Sequence, residues 1–68
     1  MTRITAETRQ VLQLIATGLS ISEVADQLDT TVTEVRQCLT EALSVLGASS
    51  LLDAIIKAAR RGLIDLPR

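Results

Sequence analysis

The sequence predicts an all-α domain of four helices, and three observations predict it. Apolar residues recur every three or four positions, which is the spacing of one helix face. The three glycines stand where these patterns stop, and Pro67 follows the last of them. A chain of 68 residues has room for at most one domain. We therefore predict one domain over residues 1–68, with helices at about 6–17, 21–28, 32–46 and 51–61.

The first two helices begin at polar capping residues. We predict Thr5 as the N-cap of the first helix, since its hydroxyl can accept a hydrogen bond from a backbone N–H. Gly18 fits the left-handed position after the helix end. Ser20 and Glu23 have the spacing of a capping box. The inward stripes of these two helices are Val11, Leu12, Ile15, Val24, Ala25 and Leu28.

The third and fourth helices are marked in the same way. Thr31 and Glu34 have the spacing of a second capping box, and Gly47 ends the third helix. Ser49 or Ser50 caps the fourth helix. The stripe of the third helix is Val35, Leu39, Ala42, Leu43 and Leu46. Three residues after the fourth helix can fold back onto the core: Leu63, Ile64 and Leu66.

The connection between the second and third helices is about three residues long, over 29–31. A short helix, a tight turn and a longer helix with a polar outer face form a helix-turn-helix layout. Small helical bundles of other kinds share this pattern, so the layout alone leaves the function open.

Composition excludes several classes of function. One cysteine and no histidine exclude a disulfide framework, the usual zinc sites and the commonest general base. We find no nucleophile–base pair, phosphate loop or metal cluster in the sequence. We therefore expect no enzyme activity, no catalytic or metal-binding residue, no cofactor and no small-molecule ligand.

Partners and location are constrained too. The apolar runs are too short to span a membrane and no signal peptide is visible, so we expect a cytoplasmic protein. The chain has no aromatic residue on which single-stranded bases could stack. Its net charge of −1 and isoelectric point of about 5.1 argue against a strongly basic nucleic-acid surface.

Several segments sharpen this interpretation. Residues 11–20 read VLQLIATGLS, 23–25 read EVA, 35–36 read VR, 46–50 read LGASS, 53–55 read DAI and 61–64 read RGLI. In this order they resemble the LuxR-type (GerE-type) helix-turn-helix DNA-binding domain. That family has the pattern G-L-S-x-x-E-I-A, then T-V-K-x-H, K-L-G-V-x-S-R-x-E-A-V and a terminal G-L-I. The resemblance runs from about residue 4 to residue 64.

The resemblance implies a transcriptional regulator that binds double-stranded DNA as a dimer, with the third helix in the major groove. Carried over from the family, Arg36, Gln37 and Thr40 are the base-facing positions. Arginine can bind guanine and glutamine can bind adenine through paired hydrogen bonds. The alternative is an exposed polar face without a ligand. The sequence does not separate a free-standing regulator from the output domain of a larger one.

Hydroxyl groups near two helix starts could bind phosphate, where backbone N–H groups favour anions. The candidates are Ser22, Thr31 and Thr33. Simple capping is the alternative, and for Thr31 it is the stronger of the two. Both roles can coexist.

The fourth helix is apolar on more than one face. Ala54, Ile55 and Ala58 suffice for the core, which leaves a surplus set that would be exposed in a monomer. An exposed apolar patch of this kind marks an interface. We predict a homodimer through Leu51, Leu52, Ile56 and Ala59. The alternative is that Leu51 or Leu52 packs into the core.

The chain also departs from the family pattern. Glu34 replaces a threonine, Val45 replaces a lysine, and Leu51 replaces an arginine, so positive charge is lost and negative charge gained. Cys38 replaces a histidine, and we expect it to be a small buried apolar residue. Glu34 and Glu41 flank the outer face of the third helix. They could repel phosphate, or accept a hydrogen bond from cytosine.

These departures support an alternative function: a protein-interaction module that keeps the fold and has lost DNA binding. A third possibility is a domain related to sigma-factor region four, which would contact polymerase. The terminal Gly62-Leu63-Ile64 and the apolar fourth helix favour the LuxR type instead.

Overall fold

The computed structural model describes residues 4–66, which form four helices and no strand. They are α1 (Ala6–Ala16), α2 (Ile21–Gln27), α3 (Val32–Leu46) and α4 (Leu51–Arg60). The predicted all-α fold class is confirmed. Helices α1, α2 and α4 end one residue before their predicted ends, within the range over which helix ends fray. The ends of the predicted domain, including Pro67, lie outside the described residues.

Each helix begins at a hydroxyl side chain that accepts the backbone N–H of the third helical residue. These N-caps are Thr5, Ser20, Thr31 and Ser50. The capping box at Ser20 is complete, because the Glu23 carboxylate accepts the Ser20 N–H at 2.9 Å. The box predicted at Thr31 is only half formed. Thr31 accepts the Glu34 N–H at 3.1 Å, whereas the Glu34 side chain lines a cleft beside α1.

Each helix ends in a Schellman motif, in which the N–H of the residue that follows a left-handed residue bonds to a carbonyl of the last turn. The left-handed residues of these motifs are Gly18, Asp29, Gly47 and Gly62. Asp29 is the exception to glycine, at φ 55° in the turn between α2 and α3. Aspartate tolerates this conformation better than most residues with a Cβ atom. The turn that joins the two helices is therefore built on a residue under mild strain.

Helix α3 packs against the three other helices and forms the centre of the domain. The buried apolar residues are Val11, Leu12, Val24, Ala25, Val35, Leu39, Ala42, Leu46, Ala54, Ile55, Ala58 and Ile64. Ile15, Leu28 and Leu43, expected in the stripes, are partly buried against them. Ile64 is buried and Leu63 half-buried, as expected for a segment that folds back, but Leu66 is 48% exposed.

The segment after α4 is held by a side chain of α1. The Gln13 amide donates to the Asp65 carbonyl at 2.8 Å and accepts the Asp65 N–H, also at 2.8 Å. One side chain thus satisfies both backbone groups of a residue 52 positions away. This pair fixes the chain that carries Ile64 into the core.

Between residues 4 and 66 no helix by itself is long and apolar enough to cross a membrane. Helices α3 and α4 reach the necessary length and apolar composition only when they are taken together, and they are bent by 61° at the break between them.

Candidate nucleic-acid interface

The outer face of α3 presents the three predicted base-facing residues together. Arg36, Gln37 and Thr40 are all exposed and line one shallow depression of about 610 Å³, with Thr33 and Glu41. Spacings of one, three and four residues place these side chains on one side of a helix. The face is entirely polar, because the apolar stripe of α3 faces the other three helices.

The hydrogen-bonding capacity of this face is partly used within the helix. The Thr40 hydroxyl donates to the Arg36 carbonyl at 3.0 Å, so only its oxygen lone pairs remain for a ligand. Arg36 makes no ion pair with any of the described residues. Its guanidinium can therefore offer its full set of N–H donors to a ligand, while Thr40 acts as an acceptor.

The three predicted phosphate ligands are exposed but do not form one cluster. Thr33 lies in the α3 depression, Thr31 caps α3, and Ser22 lies in the first turn of α2. Thr31 Oγ accepts the Glu34 N–H and keeps its proton free to donate. The first N–H groups of α3 lack intrahelical partners, as at the start of any helix. Capping and anion binding are thus compatible at Thr31.

Two carboxylates lie on the same surface but open onto different clefts. Glu41 lines the α3 depression beside Arg36. Glu34 lines a separate cleft of about 320 Å³, between α1 and the turn before α3, with Glu7 and Asp29. This second cleft is not predictable from the sequence, because nothing in the spacing of residues 7, 29 and 34 brings them together.

Helix α4 exposes part of the predicted interface. Leu52 is 70% exposed and Ile56 39%, whereas Leu51 and Ala59 are half-buried against the core. An apolar groove of about 490 Å³ adjoins Leu52. It is lined by Ile15, Ala16, Leu51, Leu52, Ile55 and Leu66. This groove is not predictable from the sequence, since it forms only where α1, α4 and the last described residues meet.

A polar cluster joins the end of α3 to α4. The Lys57 ammonium donates to the Gly47 carbonyl at 2.8 Å and pairs with the Asp53 carboxylate at 3.0 Å. Asp53 also accepts the Ser49 N–H at 3.1 Å. The bond from Ser49, followed by the bond from Lys57, holds the pKa of Asp53 below its ordinary value. Lys57 is therefore engaged inside the domain.

Cys38 is not the fully buried residue expected from the sequence. It is half-buried, and its Sγ lies 3.5 Å from the Glu7 carboxylate, to which the thiol donates. The turn of α3 that carries Cys38 faces the polar start of α1, so the Cys38 side chain stays partly exposed. Burial is the main cause that raises the pKa of the thiol, so the reactive thiolate is disfavoured.

No group of three or more histidine, cysteine, aspartate or glutamate residues among residues 4–66 could hold a metal ion.

Comparison with solved structures shows which fold the chain has. A solved structure described as that of the transcription factor GerE matches with a TM-score of 0.91 and 25% sequence identity. The match covers 98% of this chain and 100% of that one. No protein-family model matches the chain, and no curated protein does either. The chain therefore has the four-helix, helix-turn-helix fold of GerE, which confirms the resemblance that its sequence motifs indicate.

Proposed function

We propose that this chain is the DNA-binding domain of a dimeric transcriptional regulator, with α3 in the major groove. The observation that carries the proposal is the match to GerE, a transcription factor, over nearly the whole of both chains. The domain extends over residues 1–68, belongs to the LuxR family, and acts in the cytoplasm by binding rather than by catalysis. It needs no cofactor or small-molecule ligand.

Base contacts in this proposal come from Arg36, Gln37 and Thr40. Arginine binds guanine O6 and N7 through two parallel bonds, and glutamine binds adenine N6 and N7 in the same way. All three side chains are exposed on the one helix face that the core leaves free. That Arg36 pairs with none of the described carboxylates supports its availability to a base.

Phosphate contacts come from Ser22, Thr31 and Thr33. Hydroxyl groups at helix starts bind phosphate together with the free backbone N–H groups there. All three residues are exposed. Such contacts set the position of α3 in the groove without reading the base sequence.

Dimer contacts come from Leu51, Leu52, Ile56 and Ala59 on α4. Leu52 and Ile56 are among the few large apolar side chains exposed between residues 4 and 66. Burying a leucine or isoleucine side chain contributes about 1.5–3 kcal/mol. Two protomers joined in this way bind two half-sites. Once one protomer is bound to DNA, the other is held at a high effective concentration near the second half-site.

A fluorescence-anisotropy titration with random-sequence duplex DNA tests the proposal. We would measure binding at about 20 mM and about 150 mM salt, because each phosphate contact adds about one unit to the salt slope. We expect binding that weakens steeply with salt. Absence of binding at both salt concentrations would overturn the proposal.

The second candidate is a protein-interaction module that keeps this fold without binding DNA. The specific observation in its favour is the acidic cleft of Glu7, Asp29 and Glu34, which adjoins the start of α3 and would repel phosphate. The low isoelectric point agrees with it. This candidate predicts no salt-sensitive DNA binding, so the same titration separates the two functions.

A further inference from the structure

The surface of α3 is chemically asymmetric along its length. Arg36, toward the start of the helix, carries only hydrogen-bond donors. Thr40 and Glu41, one turn later, offer only acceptors: the Thr40 proton is used on the Arg36 carbonyl, and a carboxylate has none. All three side chains line the same depression.

The bases of the major groove have complementary differences. Guanine presents two acceptors to an arginine, whereas cytosine N4 and adenine N6 present donors. At 1.5 Å per residue, Arg36 and Glu41 are about 7.5 Å apart along the helix axis. That separation equals about two base-pair steps of 3.4 Å.

The Glu41 carboxylate has no cation within ion-pairing distance among residues 4–66. In a DNA groove it would face phosphates and bases, and where no donor compensates its charge it would weaken binding. A cytosine N4 amino group is the base group that a carboxylate accepts from. Sequences that lack such a donor at this position leave the charge uncompensated, so they are disfavoured.

We infer that Glu41 is a specificity-determining residue that selects cytosine, about two base pairs from the guanine bound by Arg36. The inference rests on the proposed DNA-binding function and adds the base that one further residue recognises.

The experiment begins with selection of the preferred duplex from a random library by the unaltered chain. Anisotropy titrations then compare four duplexes that differ only at one base pair. This is the pair about two steps from the guanine that Arg36 is proposed to bind. The chain is compared with Glu41→Gln and Glu41→Ala. The matched control is Glu34→Gln, which removes the same charge from a residue that opens onto the other cleft.

We expect the unaltered chain to prefer cytosine at this position by about fivefold to a hundredfold. Glu41→Gln should move the preference to adenine, which glutamine binds through two bonds. Glu41→Ala should remove the preference while binding persists. Glu34→Gln should change affinity for all four duplexes equally.

An unchanged preference in both Glu41 variants, with duplex binding retained, would overturn the inference and leave the proposed function standing. If the unaltered chain binds no duplex at any salt concentration, the proposed function fails, and the inference fails with it.

Discussion

The Gln13 side chain pairs with both backbone groups of Asp65, at 2.8 Å each, and so attaches the segment after α4 to α1. A hydrogen bond between a side chain and the backbone contributes about 0.5–1.5 kcal/mol net. The pair acts where Ile64 enters the core, so it stabilises a contact between distant parts of the sequence.

Replacing Gln13 tests this attachment. Gln13→Ala should lower the free energy of unfolding by about 1 kcal/mol, since two exposed bonds are lost. The free energy of unfolding of Gln13→Glu should lie between those of Gln13→Ala and the unaltered chain. A carboxylate accepts a hydrogen bond from the Asp65 N–H but cannot donate one to the Asp65 carbonyl. Urea denaturation measures both variants. Equal stability of all three proteins would show that the pair contributes nothing.

Asp29 occupies the left-handed position that glycine fills at the other three helix ends. Asp29→Gly should raise the free energy of unfolding by about 0.5–1 kcal/mol, because glycine has no Cβ atom to strain there. Asp29→Ala should lower it by about 1 kcal/mol. Thermal unfolding followed by circular dichroism is the measurement.

The charge of Asp29 needs a separate control. Asp29→Asn removes the charge and keeps a side chain that tolerates the left-handed conformation. If this variant gained as much stability as Asp29→Gly, charge repulsion in the acidic cleft would be the cause instead of backbone strain.

Leu52 and Ile56 test the proposed dimer. Leu52→Glu or Ile56→Glu should give a monomer in sedimentation, because each places a charge at the centre of the α4 contact. Both side chains are exposed in the protomer, so folding should change little. Val32→Glu is the control, an exposed apolar residue on another helix. A dimer that persists in both α4 variants would argue against this contact.

Arg36 tests the proposed base recognition. Arg36→Ala should cost about 1–3 kcal/mol of sequence discrimination in each half-site, measured by competition between specific and random duplexes. Arg36→Lys keeps the charge but loses the planar fork that binds guanine. We therefore expect the lysine variant to keep the salt dependence of binding and lose most of the discrimination. Full discrimination in both variants would exclude Arg36 as a base contact.

Glu23 makes stability depend on pH. The bond from the Ser20 N–H, then that from the Ser20 hydroxyl, holds the pKa of Glu23 below its ordinary value. The stabilisation is therefore present above the unfolded pKa of about 4.3, and is lost as pH falls through the lower folded value. Glu23→Gln keeps an acceptor oxygen without a proton to bind. It should lose less stability between pH 7 and pH 3 in urea titrations than the unaltered chain loses.

Glu23→Gln does not abolish the acid dependence, because the pKa of Asp53 is lowered as well. An identical loss of stability in Glu23→Gln and the unaltered chain would show that the capping box does not titrate in this range.

Local signals in the sequence were sufficient for the four helices. Caps such as Ser20 and stops such as Gly47 act within a few residues, so the helix bounds follow from nearby chemistry. The polar face of α3 follows from periodicity in the same way. That Arg36, Gln37 and Thr40 contact bases stays a prediction.

The return of Ile64 to the core was expected from its apolar character, but most other long-range contacts were not predictable. The Gln13–Asp65 pair and the apolar groove beside Leu52 depend on how helices pack, which periodicity does not encode. Cys38 was expected to be buried because free cysteine usually behaves as a small apolar residue. The turn of α3 that carries it faces Glu7 instead. Asp29 gave no signal, because glycine is the residue that marks a left-handed helix end in a sequence.

The polar cluster between α3 and α4 has a consequence for the proposed dimer. Lys57 on α4 donates to the Gly47 carbonyl at the end of α3, and Asp53 accepts the Ser49 N–H of the connecting segment. The two helices are bent by 61° at the break between them. These contacts hold α3 and α4 at a fixed angle to each other. In the proposed dimer, this angle, and not the residues that read the bases, would set the distance between the two half-sites on DNA. A residue inserted between Gly47 and Ser50 should change the operator spacing that the dimer accepts, while each half-site keeps its sequence.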